Sequence, residues 1–130
     1  MQTTCLIVDD SAVIRAMVAR AVKLSGTGVS WILEAANGQD ALTILATVKV
    51  HLVLSDMHMP EMGGAELIER MQQQPNLRQI PVVIVSAEPS TQRMEELCTH
   101  GARGYLQKPF KPEDIRALIV PLLEQQHENN

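Results

Sequence analysis

Residues 51–64 read His-Leu-Val-Leu-Ser-Asp-Met-His-Met-Pro-Glu-Met-Gly-Gly. The stretch opens with an apolar, strand-forming run from His51 to Ser55, the run stops at Asp56, and Pro60 and two glycines then turn the chain. This order predicts a buried strand with Asp56 at its carboxyl end. Ligands of open α/β sheets bind outside the carboxyl ends of the strands. Asp56 is therefore the first candidate for a functional residue.

Other predicted strands also end in reactive side chains. Asp9 and Asp10 follow the apolar run Thr4–Val8, Ser86 follows Val82–Val85, and Lys108 follows Gly104–Gln107. Ser30–Ala35 supplies one further strand, which Asn37 and Gly38 end. Because the carboxyl ends of parallel strands lie at one edge of a sheet, these side chains are candidates for a single site.

Apolar residues at helical spacing separate the strands and predict five helices. Ser11 is suited to cap the first helix, Ala65–Gln74 and Ser90–His100 form the third and fourth, and Pro112 begins the fifth. The residues expected to point inward are Ile14, Met17, Val18, Ala21, Val22, Ala41, Leu42, Leu45, Ala46, Leu67, Ile68, Met71, Met94, Leu97, Cys98, Ile115, Leu118, Ile119 and Leu122. Pro121 predicts a kink or an early end of the last helix, since an interior proline costs about 3 kcal/mol.

The alternation of strands and helices predicts an α/β fold with a doubly wound parallel sheet, right-handed crossovers and helices on both faces. The 130 residues, 45% of them hydrophobic, suffice for one domain with a real core. We expect that domain to span residues 1–123, with a polar tail at residues 124–130. Residues 82–85 should form the most buried strand.

Charge and hydropathy limit the partners. The net charge is −4 and the 11 basic residues are scattered, which argues against a nucleic-acid partner. No uncharged apolar run approaches the roughly 20 residues of a membrane span, and the N-terminus lacks the pattern of a signal segment. We therefore expect no membrane partner and a cytoplasmic location.

Cysteine, histidine and tryptophan point to packing rather than chemistry. Cys5 and Cys98 match neither a disulfide framework nor a metal spacing, so we expect both to be reduced and buried. No two histidines are three to five residues apart, which argues against zinc. The single tryptophan, Trp31, is expected in the core.

Asp9, Asp10 and Asp56 would repel one another at one site, by roughly 4 kcal/mol for unit charges about 4 Å apart at an effective dielectric near 20. A hard cation with oxygen ligands resolves the repulsion, and magnesium suits a site that also receives a phosphate. Lys108 offers a positive charge and Ser86 a hydroxyl to phosphoryl oxygens. Aspartate is an established nucleophile in phosphoryl transfer, so these residues predict an acyl phosphate on Asp56.

Five motifs follow one another along the chain. They are Val8-Asp9-Asp10-Ser11, Ala36-Asn37-Gly38, Ser55-Asp56-Met57-His58-Met59-Pro60, Val85-Ser86-Ala87, and the run from Gly101 to Phe110, Gly-Ala-Arg-Gly-Tyr-Leu-Gln-Lys-Pro-Phe. With them, nearly the whole chain resembles the receiver domains of two-component response regulators, most of all the stand-alone chemotaxis type. The resemblance implies a flavodoxin-like fold of five strands in the order 2-1-3-4-5.

The resemblance also implies roles. Asp56 accepts a phosphoryl group from a histidine kinase or phosphotransfer protein, and Ser86 and Lys108 hold the phosphoryl oxygens. The implied magnesium ligands are Asp9, Asp10, Asp56 and the backbone carbonyl of His58. The domain is a signalling phosphoacceptor that catalyses its own phosphotransfer and dephosphorylation, and His58 and Glu88 tune the lifetime of the acyl phosphate.

Output is implied at the surface of helix 4, strand 5 and helix 5, where a downstream protein binds. Ser86 moves toward the phosphoryl group and Tyr105 turns inward behind it. Candidate residues of the binding face are Arg93, Tyr105, Lys111 and Arg116. The Lys108–Pro109 peptide bond should be cis. The chain departs from the common pattern at Ser86, where threonine is frequent, and at Gly63, where Asp or Asn often stands.

Each residue also has an ordinary interpretation. Asp9 and Asp10 alone suit a solvated helix cap, Lys108 a surface lysine, and Tyr105 a half-buried aromatic residue. Three rival classes are each disfavoured by particular residues. An aspartyl phosphatase of the dehalogenase kind has a second aspartate two residues after the nucleophile, where His58 stands. A flavin-binding protein needs a phosphate loop after strand 1, where Asp9 and Asp10 would repel the phosphate. A degenerate receiver that acts as a structural adaptor would lack the nucleophile or the lysine, and Asp56 and Lys108 are both present.

Overall fold

The computed structural model describes residues 2–87 and 91–128. In this part of the chain, strands alternate with helices from one end to the other, as the sequence predicts. In chain order the elements are β1 (Thr4–Val8), α1 (Ala12–Leu24), β2 (Trp31–Ala35), α2 (Gly38–Thr47), β3 (Leu52–Asp56), α3 (Gly64–Gln72), β4 (Val82–Ser86), α4 (Thr91–Thr99), β5 (Gly104–Gln107) and α5 (Pro112–Glu128).

The five strands form one parallel sheet in the order β2-β1-β3-β4-β5. This confirms the doubly wound α/β fold and the strand order implied by resemblance. The order reverses between β1 and β3, so the helices that follow these two strands cover opposite faces and leave a crevice beyond their carboxyl ends. Val8 lies opposite Ser55 there, and Asp56 lies opposite Val85 on β4.

Two apolar clusters sandwich the sheet, because successive side chains of a strand point to opposite faces. On β1, Leu6 and Val8 join the cluster under α2, α3 and α4, whereas Cys5 and Ile7 join the cluster under α1 and α5. All five residues of β4 are buried, which confirms the prediction for this strand. The central strands thus form a rigid base for the residues at their ends.

Helix starts follow their capping residues. Ser11 caps α1 as predicted, and its Oγ accepts a hydrogen bond from the amide of Ile14 at 3.2 Å. Asn37 caps α2 through the amide of Asp40. Pro112 occupies the first turn of α5, where its missing N–H has no intrahelical partner to lose. Local sequence therefore determines where these helices begin.

Four predicted core positions are exposed instead. Met17 of α1, Ala46 of α2 and Cys98 of α4 are exposed because the buried face of each helix is narrower than the sequence suggested. Of the two cysteines, only Cys5 is buried. Trp31 is 56% exposed because β2 is an edge strand whose burial begins only toward its carboxyl end. The three helix predictions were wrong because periodicity gives the centre of an apolar face but not its width, and the prediction for Trp31 was wrong because the sequence does not mark β2 as an edge strand.

Helix α5 does not end at Pro121 but continues to Glu128. Leu123 and Gln126 are buried beyond the proline, so tertiary packing offsets the lost backbone hydrogen bond. The predicted boundary between domain and tail, after Leu123, therefore lies inside a helix. Among the described residues, no helix is long and apolar enough to cross a membrane.

Candidate functional site

Asp56 is the last residue of β3 and lies at the crevice of the sheet. Its side chain is 18% exposed, whereas the other residues of the strand are buried. A carboxylate in this position is held by a rigid strand and still reachable from solvent. It therefore meets the geometric demand on a nucleophile that must receive a group from another molecule.

Asp9 and Asp10 follow β1 and face Asp56 across the crevice. One carboxylate oxygen from each of the three residues lies within 4.8 Å of the other two. Asp9 is buried and accepts a hydrogen bond from the amide of Ser11 at 2.9 Å, whereas Asp10 is exposed. The structure thus brings together the three carboxylates that the sequence places at two strand ends.

Lys108 reaches the same cluster from the end of β5. Its Nζ lies 3.4 Å from Oδ2 of Asp9 and 3.7 Å from Oδ1 of Asp56. The side chain is 23% exposed, so its ammonium group is partly shielded from water. The Lys108–Pro109 peptide bond is cis, as predicted.

Ser86 and Tyr105 lie on neighbouring strands beside the cluster. Ser86 ends β4 and is buried, and its carbonyl oxygen accepts a hydrogen bond from the amide of Lys108 at 2.8 Å. The hydroxyl of Tyr105, on β5, donates to the same carbonyl oxygen at 3.4 Å. Tyr105 is half-buried and packs against the core. Ser86 thus links the site to the aromatic residue of the edge strand.

The loop after Asp56 is anchored by methionines and closed by glycines. Met57 and Met62 are buried in the core cluster, and His58 between them is exposed. The amide of Gly64 donates to the carbonyl of Met57 at 3.0 Å. A Cβ on Gly64 would lie 2.5 Å from the carbonyl oxygen of Asp56, so this close approach requires glycine.

The electrostatics of the cluster centre on Asp56. Burial raises the pKa of its carboxyl group above the ordinary value, and the negative charges of Asp9 and Asp10 act in the same direction. The charge of Lys108 and a hydrogen bond from the amide of Met57 lower that pKa in part. One lysine therefore does not offset the burial and mutual repulsion of the carboxylates.

The donor set fits a divalent cation. Three carboxylate oxygens within reach of one another are hard ligands, and the exposed side of Asp10 leaves room for water in the coordination shell. Magnesium, which keeps several waters and takes only a few protein oxygens, matches this arrangement better than calcium, which takes six to eight oxygens. The residues present are thus compatible with the magnesium that the sequence predicts.

Sequence reasoning missed two residues next to the site. The guanidinium of Arg15, on α1, donates from Nη1 to the carbonyl oxygen of Asp9 at 2.6 Å and from Nε to Oε1 of Glu34 on β2 at 2.8 Å. The spacing of Arg15 from the Ser11 cap put it on the first turns of α1, but no local pattern indicates which carbonyl so long a side chain reaches.

The other predicted residues lie further away. Glu88 lies outside the described residues. Arg93 borders a groove between α3 and α4, together with Glu69 and Leu97. Arg116 donates to the carbonyl oxygens of Ser25 and Gly26, at 3.3 and 2.6 Å. Its guanidinium therefore faces the end of α1, which removes Arg116 from the predicted binding face.

Fold and cluster define the chain as a doubly wound α/β domain with an acidic site at its switch point. A family model described as the response regulator receiver domain matches residues 5–120. Because this match covers most of the chain, the chain belongs to the response regulator receiver domain family.

Individual relatives agree with this assignment. The two-component response regulator ORR3 of Oryza sativa subsp. indica is 36% identical over 114 residues, which cover 87% of this chain and 85% of that protein. ORR6 of Oryza sativa subsp. japonica is 34% identical over 113 residues, and the match covers 87% of this chain and 66% of that protein. The structure of the chemotaxis response regulator CheY4 of Vibrio cholerae superposes with a TM-score of 0.82 at 30% identity, over 94% of this chain and 99% of that one.

Proposed function

We propose that the protein accepts a phosphoryl group on Asp56 from the phosphohistidine of a kinase or phosphotransfer protein, in a magnesium-dependent reaction. The observation that carries the proposal is the cluster of Asp9, Asp10 and Asp56 with the Nζ of Lys108 within 3.7 Å of Asp56. The similar proteins ORR3 and ORR6 are named two-component response regulators, which supports the same class of donor.

The transfer requires one bond to form and one to break. A carboxylate oxygen of Asp56 attacks the phosphorus atom, the bond from phosphorus to the donor's imidazole nitrogen breaks, and its electron pair returns to the ring. Bound magnesium supplies positive charge at the transferring oxygens. Lys108 provides a second positive charge, and the hydroxyl of Ser86 donates to a phosphoryl oxygen. Asp9, Asp10, Asp56 and the His58 carbonyl hold the ion.

The donor's docking site is proposed between α1 and the loop after β5. A groove of about 340 Å³ lies there, lined mainly by apolar side chains and by the stem of Lys108. Met17 and Phe110 contribute to this lining. An apolar helix face on the donor suits this groove and would bring its phosphohistidine to the neighbouring site.

The proposed output is a change at the surface of α4, β5 and α5. Once Asp56 is phosphorylated, the Ser86 hydroxyl contacts the phosphoryl group and Tyr105 moves inward. The hydrogen bond from Tyr105 to the carbonyl of Ser86 is the physical link that supports this coupling. A downstream protein then binds near Tyr105 and Lys111, and the signalling takes place in the cytoplasm.

The acyl phosphate is proposed to be lost by hydrolysis that the domain itself assists. His58 and Glu88, each two residues after a residue of the site, would flank the path of the attacking water. Replacement of both is expected to change the dephosphorylation rate, measured as loss of the phosphorylated mass over time. An unchanged rate in the double variant would exclude this role.

The decisive experiment is intact-mass measurement after incubation with a small phosphodonor. Wild type is expected to gain one phosphoryl mass only when magnesium is present, and Asp56→Asn to gain none. Asp40→Asn, an exposed carboxylate at the start of α2, serves as the matched control and should behave as wild type. Equal phosphorylation of Asp56→Asn would overturn the proposal.

A further inference from the structure

The acidic pair after β1 is fixed from its backbone side as well as from its side chains. The ladder between β1 and β2 ends where Val8 lies opposite Ala35, and the chain of β2 then turns into α2. Beyond this point the carbonyl oxygen of Asp9 accepts the 2.6 Å hydrogen bond from Nη1 of Arg15. A charge-assisted contact of this length is among the strong hydrogen bonds of a protein.

Glu34 holds Arg15 in place. Its Oε1 accepts from Nε of Arg15 at 2.8 Å, so the guanidinium contacts both β2 and the residue that follows β1. The side chain of Glu34 is 47% exposed and that of Arg15 only 17%. A half-exposed ion pair adds little to stability, so the effect of this one is to orient the fork rather than to hold the fold together.

The orientation of the Asp9 carbonyl constrains the start of the next residue. The peptide group between Asp9 and Asp10 is planar, so a fixed carbonyl of Asp9 also fixes the positions of the amide and Cα of Asp10, from which the side chain projects. On the other side, the amide of Ser11 donates to Oδ1 of Asp9. Asp10 itself is exposed, and its direction depends on this pinned backbone.

We propose that Arg15 is a positioning residue that sets the affinity of the acidic cluster for a divalent cation, through the carbonyl of Asp9. The inference rests on the proposed function, since it assigns the cation to Asp9, Asp10 and Asp56. Arg15 contacts a backbone carbonyl and not the cation.

Two physical effects of Arg15 on cation binding have opposite signs. Its positive charge repels a cation, so a purely electrostatic role predicts tighter magnesium binding when the charge is removed. Its contact with Asp9 orients a ligand, so a positioning role predicts weaker binding. Loss of groups that orient metal ligands lowers metal affinity by roughly 10–100-fold. This loss is larger than the gain in affinity expected from removing a partly screened positive charge.

The variants Arg15→Lys and Arg15→Gln separate the two effects. Lysine keeps the charge but cannot hold Asp9 and Glu34 with one planar fork, and glutamine removes the charge as well. We expect both variants to bind magnesium about tenfold more weakly than wild type, at the lower end of the range for such orienting groups. Arg70→Lys is the matched control, because Arg70 pairs with Glu66 on the surface of α3 and should leave the affinity unchanged.

The measurement is calorimetric titration of the apo protein with magnesium chloride, with melting curves in chelator to verify folding. In a phosphorylation assay, the magnesium concentration at half-maximal rate should rise for Arg15→Lys, while the rate at saturating magnesium stays close to wild type. A purely structural role would lower the melting temperature and leave the magnesium affinity unchanged. Glu34→Ala, at a half-exposed position that does not threaten the fold, should shift the affinity in the same direction.

Wild-type affinity in both Arg15→Lys and Glu34→Ala, or tighter binding by Arg15→Gln, would overturn the inference. These outcomes differ from a failure of the proposed function, because in that case wild type itself would show no magnesium binding and no magnesium-dependent phosphorylation.

Discussion

The proposed role of Asp56 as a nucleophile requires the ionised carboxylate, yet the surroundings of Asp56 favour the protonated form. Burial raises its pKa, Asp9 and Asp10 raise it further, and Lys108 opposes them only in part. The unphosphorylated, metal-free site is therefore a source of instability in the folded protein. A bound cation would relieve it by adding positive charge beside the three carboxylates.

This conflict gives a prediction on stability and pH. Because the native pKa of Asp56 lies above its ordinary value of 3.8, the folded protein binds the proton more tightly than the unfolded chain. The cost of ionising Asp56 is thus fully present above the native pKa and disappears as the pH falls toward 3.8. In metal-free buffer at neutral pH, Asp56→Asn should leave the fold intact and melt a few degrees higher than wild type.

The check is a series of melting curves at decreasing pH, in which the advantage of Asp56→Asn should shrink on the acid side. Glu124→Gln, at an exposed position of α5, should show no such pattern. A lower melting temperature for Asp56→Asn at neutral pH would contradict the prediction.

Single residues with a local signature were predictable. Ser11 precedes a helical repeat and caps α1, and Asp56 stops an apolar run and ends β3. Arg15 was not, since its partners Asp9 and Glu34 lie 6 and 19 residues away and are chosen by the packing of α1 against the sheet. Long side chains bridge elements whose relative placement the sequence does not reveal.

At the scale of elements, the loop from β3 to α3 depends on a close approach between two parts of its backbone, at Gly64 and Asp56. Gly64→Ala would place a methyl group against the carbonyl oxygen of Asp56, and backbone atoms cannot move aside easily. We expect a loss of about 1–3 kcal/mol in unfolding free energy, the usual range for overpacking, and slower phosphorylation of Asp56.

Gly38→Ala is a suitable comparison for this loop. The three atoms nearest to its Cβ belong to the side chain of Met62; Cγ and Sδ can rotate away and only the Met62 Cβ must shift slightly, so the loss should be smaller. Denaturant unfolding measures both variants. Equal losses would mean that the distinction between backbone and side-chain contact does not control this loop.

Helix α5 offers a gain of stability instead. Pro121 is exposed inside a helix that runs from Pro112 to Glu128, so it removes a backbone hydrogen bond without contributing buried surface. Pro121→Ala should raise the unfolding free energy by up to about 3 kcal/mol, as measured by denaturant titration. Pro75→Ala, in the segment after α3, should give no comparable gain; a gain as large there would show that helix geometry is not the cause.

The helices and strands were predictable because their apolar residues recur with different periods, but the residues at which they end were not. Helix α5 continues past Pro121 because Leu123 and Gln126 are buried beyond it. Helix propensities of single residues do not include such packing. Cys98 directly follows the buried Leu97 of α4 and is nevertheless exposed. Tertiary packing decides such cases, and the pattern of a single sequence does not show which elements will pack against a given residue.

At the scale of the whole molecule, the order of strands could not be worked out from the residues alone. Alternating strands and helices predict a parallel sheet, but many strand orders satisfy this alternation, and most of them do not place β1 between β2 and β3. The resemblance to receiver domains supplied that order, and it brings the ends of β1 and β3 into register at the site. Convergence of Asp9, Asp10 and Asp56 follows directly from it.

The same strand order places the single tyrosine and the single tryptophan on opposite edges of the sheet, which provides a test of signal transmission. Tyr105, the single tyrosine, lies on edge strand β5, and Trp31, the single tryptophan, lies on the opposite edge strand β2. Tyr105 contacts the carbonyl of Ser86 beside the site, whereas Trp31 lies at the amino end of its strand, away from it. Phosphorylation of Asp56 should therefore alter the surroundings of Tyr105 and leave those of Trp31 unchanged.

Fluorine NMR can observe both edges in protein prepared with 3-fluorotyrosine or 5-fluorotryptophan. With magnesium and a small phosphodonor, the tyrosine resonance should shift and the tryptophan resonance should stay in place. In Asp56→Asn neither should move, which separates phosphorylation from the effect of the reagents. A tyrosine resonance that stays fixed in fully phosphorylated wild type would mean that β5 does not carry the signal, and equal shifts at both edges would mean that the response is a global rearrangement rather than a path through Ser86 to Tyr105.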